Sequence, residues 1–113
     1  LKEFAEQVHR VFRVYAQQNG WADADFRLFL HFNEEWNTAH IIVLSEKFKE
    51  GKSIDHWRKI MMFLNKNLQN SLFTYTTINL SLRTESQVSE GAIYEFGPEF
   101  VPIEEILAAR PVA

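Results

Sequence analysis

The stretch DFRLFLHFNEEWNTAHIIVLS, residues 25–45, decides the fold. Phe26, Leu28, Leu30 and Phe32 alternate with Arg27, Phe29 and His31, the period of two that sends successive side chains to opposite faces of a strand. Residues 38–45 continue with a second apolar run. The polar Glu34-Glu35-Trp36-Asn37 between the runs reads as a hairpin loop. A loop with an even number of residues centred on Glu35 and Trp36 pairs position 33 with 38, and therefore His31 with His40. The stretch is an antiparallel pair of strands.

Before the hairpin, residues 1–18 place Leu1, Phe4, Ala5, Val8, Val11, Phe12 and Tyr15 at spacings of three and four, the stripe of an amphipathic helix. Asn19-Gly20 tolerates left-handed backbone angles and ends it. After the hairpin, Gly51 and a capping Ser53 introduce a second helix that runs to about residue 69. Its stripe Ile54, Trp57, Met61, Leu64 and Leu68, widened by Ile60, Met62 and Phe63, predicts a well-buried helix. Residues 72–83 and 92–96 have strand composition, and Pro102 with Glu104 and Glu105 opens a short terminal helix.

The element order is therefore α-β-β-α-β-β-α. Phe26, Leu28, Leu30, Phe32, Ala39, Ile41, Val43, Ile78, Leu80 and Leu82 need one shared apolar surface. This predicts an α+β, two-layer sandwich with a four-stranded antiparallel sheet and the helices on one face. At 113 residues, 46% of them hydrophobic, the chain has material for one core, and 1–113 reads as a single domain without repeat or linker.

The formal charge of -3 is too mild for a nucleic-acid groove. Lys47, Lys49, Lys52, Arg58, Lys59 and Lys66 do cluster around the second helix. Glu46, Glu50 and Asp55 are interleaved with them, as on a solvated face. The absence of cysteine excludes disulfides and thiolate chemistry. No apolar run reaches the ~20 residues of a membrane helix, and the charged amphipathic start is unlike a signal peptide, so the expected location is cytoplasmic.

No glycine-rich phosphate loop, paired-histidine helix motif or serine elbow is present, so the sequence supplies no catalytic residue and no reason to expect a cofactor. Two features stand out instead. His31 and His40 would face each other across the hairpin, close enough to share a metal, although zinc commonly needs at least a third side chain. An enzyme would need a pocket joining this pair to a carboxylate such as Glu35. The second feature is the face turned away from the helices, where Phe29, Ile42, Leu44, Phe73 and Tyr75 make an interface for a second copy. The alternative is that residues 96–109 fold over that face.

Residues 41–64, IIVLSEKFKEGKSIDHWRKIMMFL, resemble the central segment of the BolA family. There too a hydrophobic strand ends in serine, phenylalanine and glycine follow, and an arginine-bearing helix comes next, here Ser45, Phe48, Gly51 and Arg58. Trp57 stands where the family's helix carries histidine. The resemblance implies a fold like the nucleic-acid-binding KH domain, and an iron–sulfur partnership with a monothiol glutaredoxin through a histidine ligand, or nucleic acid as partner. The residues themselves favour a non-enzymatic interaction module that forms a homodimer or binds a protein partner.

Overall fold

The structure is a computed structural model that describes residues 2–68, 76–84 and 101–108. Helix α1 (Lys2–Gln18) leads into the hairpin of β1 (Arg27–Asn33) and β2 (Thr38–Leu44). Helix α2 (Ser53–Leu68), strand β3 (Thr77–Arg83), the short β4 (Val101–Pro102) and helix α3 (Ile103–Ala108) follow. The strands form one sheet in the order β3-β2-β1-β4.

Local chemistry sets the ends of these elements. At the end of α1 the amide of Trp21 donates to the Ala16 carbonyl at 2.8 Å and that of Gly20 to Gln17 at 3.3 Å. Gly20 adopts a φ of +72°, the left-handed conformation that this type of helix stop requires. The Trp21 ring then meets Tyr15 edge-on at 5.6 Å, fixing the exit of the chain. In the hairpin loop the Asn33 side chain accepts from the Trp36 amide at 3.2 Å, and Asn37 takes the positive φ that closes the turn. His31 pairs with His40 and Asn33 with Thr38, the register that the loop length predicts.

One core joins Phe4, Val8, Phe12 and Tyr15 of α1, Ile60 and Leu64 of α2, and Ile103 and Ile106 of α3 to alternate residues of the sheet. Those are Leu28 and Leu30, Ala39, Ile41 and Val43, and Leu80. Their registers, Leu30 on Ile41 and Ile41 on Leu80, stack them on one face across three strands. The mixed α and β composition is as expected.

The sheet itself differs from the fully antiparallel one expected. β3 runs parallel to β2, from Thr38 beside Thr77 to Leu44 beside Arg83. The helix between them is the reason: sixteen residues of α2 cover about 24 Å, close to the ~23 Å of a seven-residue strand. The helix therefore returns the chain to the end where β2 began.

The strand expected over residues 92–96 and the 72–75 part of the third strand lie outside the described residues. The described fourth strand is β4, which pairs Val101 with Leu30 and Pro102 with Phe29. Pro102 thus ends a strand instead of opening the helix. A sheet edge tolerates its missing N–H, and the helix begins one residue later.

Candidate functional site

The residues singled out on the outer face divide into two groups. Phe29, Ile42 and Leu44 are 7%, 0% and 0% exposed within a single chain. They do point away from the helix-side core, yet they are closed to solvent, which corrects the expectation that they offer an open apolar patch. Phe29 sits opposite Ile42, and the Arg27 guanidinium lies 5.3 Å from the centre of its ring. Phe73 and Tyr75 lie outside the described residues.

His31 and His40 are partly exposed neighbours on that face. His40 Nε2 shares a 2.9 Å hydrogen bond with Ser81 Oγ from β3. Burial, then the charges of His31 and Arg83, lower the His40 pKa, so the neutral imidazole is favoured. Glu35 lies exposed in the hairpin loop, beyond the last strand pair. Among the described residues no three His, Cys, Asp or Glu side chains gather where a metal could be held. Ser81 lies within a regular strand and not in a strained turn of the kind that presents a serine nucleophile.

Three of the four residues shared with the BolA pattern, Ser45, Phe48 and Gly51, lie at the junction from β2 to α2. Ser45 Oγ donates to the Asp25 carbonyl at 2.6 Å and accepts from the Lys47 amide at 3.1 Å, starting the 3₁₀ turn Glu46–Lys49. Phe48 is buried against Trp21, ring centres 5.9 Å apart. Gly51 takes a φ of +74°. Arg58 is exposed on α2. Ser53, expected to cap that helix, is its first residue, and the Lys52 carbonyl accepts from Asp55 and His56.

The open apolar surface lies instead where α2 crosses β3. In the described part of the helix Ile60, Leu64 and Leu68 are buried, whereas Ile54 is 50% and Trp57 38% exposed. The expected continuous buried stripe is broken there, where β3 is the outermost described strand on this side of the sheet. Ile54, Trp57 and Leu82, with Ser53 at the rim, line an open groove of about 410 Å³. None of the four side chains is charged.

Among the described residues, no strand lies beyond β3 at this same place. Thr77 donates its amide to the Asn37 carbonyl at 3.0 Å, and the Arg83 carbonyl accepts from Ser45 at 3.0 Å, so the odd-numbered residues of β3 direct their main chain to β2. Alternation turns the N–H and C=O groups of Ile78, Leu80 and Leu82 outward. Trp57 Nε1 donates to the outward Leu80 carbonyl at 2.9 Å.

No family model, curated protein or solved structure matches this chain. Its function is therefore read from this geometry. The sequence placed Ile54 and Trp57 on the stripe expected to be buried, so it carried no separate signal for the groove.

Proposed function

We propose that the chain is a non-enzymatic interaction module whose helices form one layer against the sheet, and which engages another polypeptide through the groove between α2 and the edge of β3. The observation that carries this reading is the pairing of two half-open apolar side chains, Ile54 and Trp57, with an outward-facing strand edge. Large apolar groups left in water at a strand edge are a cost that a partner removes, and strand edges are surfaces on which polypeptides add. The described lining of the groove carries no charged side chain, which suits an apolar protein segment better than phosphate or nucleic acid.

The immobilised native chain, an Ile54→Asp variant and a Met62→Asp control test this reading. Met62 is 73% exposed on the same helix and does not line the groove. The expected result is a polypeptide held by the native chain and the Met62 control and released by Ile54→Asp. Equal retention by all three would overturn the assignment of the groove.

A further inference from the structure

We propose that the occupant of this surface is a second copy of the chain, joined by antiparallel pairing of β3 with its counterpart about Leu80. The inference rests on the interaction-module reading and names its partner.

The groups that need satisfying are main-chain ones. Ile78, Leu80 and Leu82 turn their N–H and C=O outward, and no described strand pairs with β3 on that side. Another strand supplies donors and acceptors at the matching spacing. The Trp57 N–H uses one lone pair of the Leu80 carbonyl, and a carbonyl oxygen has two. The second is available to a partner amide.

The edge is also self-complementary, as a two-fold contact demands. Centred on Leu80, antiparallel pairing sets Leu80 against Leu80 and Ile78 against Leu82, all apolar and all on the helix side of the sheet. On the opposite side Asn79 meets Ser81 and Thr77 meets Arg83, so the two guanidiniums stand at opposite ends of the seam. An in-register parallel pairing would set Arg83 against Arg83, and like charges directly opposite are destabilising.

The helices fit the same symmetry. Trp57 lies by Leu80, while Ser53 and Ile54 lie by Leu82, so α2 runs against the direction of β3. The two-fold therefore brings both Trp57 side chains to the axis and each Ile54 toward the partner's Ile78. The two grooves close on each other, and the apolar lining of both is covered at once.

Because the chain has no cysteine, cross-linking can read this register directly. Asn79→Cys and Ser81→Cys are made as separate proteins, mixed and mildly oxidised. In the proposed pairing these positions face each other with β-carbons ~5 Å apart, near disulfide range, whereas identical positions sit on the diagonal at ~7–8 Å. The expected result is a disulfide-linked dimer several-fold more abundant in the mixture than in either protein alone. Thr77→Cys with Arg83→Cys gives an independent pair should loss of the Ser81 hydroxyl disturb folding.

Equal cross-linking in the single proteins, or none in either mixture, overturns the pairing. Light scattering on the native chain separates the levels of failure. A dimer without the mixed disulfide refutes the β3 pairing but leaves a self-associating module, and a monomer at every concentration refutes the second copy as occupant. The groove reading itself stands or falls on the Ile54→Asp retention comparison.

Discussion

Trp57 Nε1 donates a 2.9 Å hydrogen bond to the carbonyl of Leu80, 23 residues further along the chain, and so fastens the early turns of α2 to the outer edge of β3. The same indole is both a structural tie and part of the open groove. Trp57→Phe keeps most of the apolar ring and removes the donor. It should lower unfolding stability by about 0.5–1.5 kcal/mol, measured by urea denaturation. An unchanged midpoint would mean that water replaces the indole at no cost.

Phe29→Asp separates a buried outer face from an open interface. On an open sheet face this change would spare the fold and disrupt only association. Phe29 is instead closed within one chain, opposite Ile42. Placing a carboxylate there should cost roughly 3 kcal/mol or more, with loss of the helical circular-dichroism signal at a lower urea concentration. A variant as stable as the native chain would show that this part of the face opens readily.

His40 gives the fold a pH dependence of defined sign. Its pKa in the folded chain is lowered, by burial first and by His31 and Arg83 after that. Below its unfolded value of about 6.5 the unfolded chain binds the proton more readily than the folded one. Stability therefore falls as pH drops through 6.5 toward the lowered value, and rises with pH across that window. Urea unfolding between these limits should show a shallower pH slope for His40→Gln than for the native chain. His31→Gln should raise the His40 pKa, readable from its imidazole proton shifts, and a pKa that stays put or falls would contradict the cross-strand charge effect.

The hairpin was legible because its information is local. Four polar residues between two alternating runs set both the register and the faces, so His31 fell opposite His40 and Leu28, Leu30, Ile41 and Val43 fell together in the core. Strand direction is different. The alternation of Ile78, Leu80 and Leu82 states which side chains share a face, and it is the same whichever way the strand runs. Direction came from α2, whose length matches the return crossover. β4 has two residues, too few to show a period, and its pairing depends on contacts that sequence spacing does not contain.

The groove is not legible in the sequence for a related reason. Helical spacing placed Ile54 and Trp57 on the same stripe as Leu64 and Leu68, but a stripe is buried only as far as the sheet extends beneath it. With β3 the outermost described strand on that side, Ile54 and Trp57 in the first turns of α2 stay half open. Phe29, Ile42 and Leu44 show the converse. Their outward direction followed from alternation, while alternation says nothing of how far a face is closed to solvent.

The most direct test is the solution mass of the native chain and of Ile54→Asp, by light scattering coupled to size-exclusion chromatography over a concentration series. The native chain should pass from monomer to dimer as concentration rises, and Ile54→Asp should remain a folded monomer. A native chain that stays monomeric throughout, or an Ile54→Asp variant that dimerises equally well, would contradict self-association through the groove.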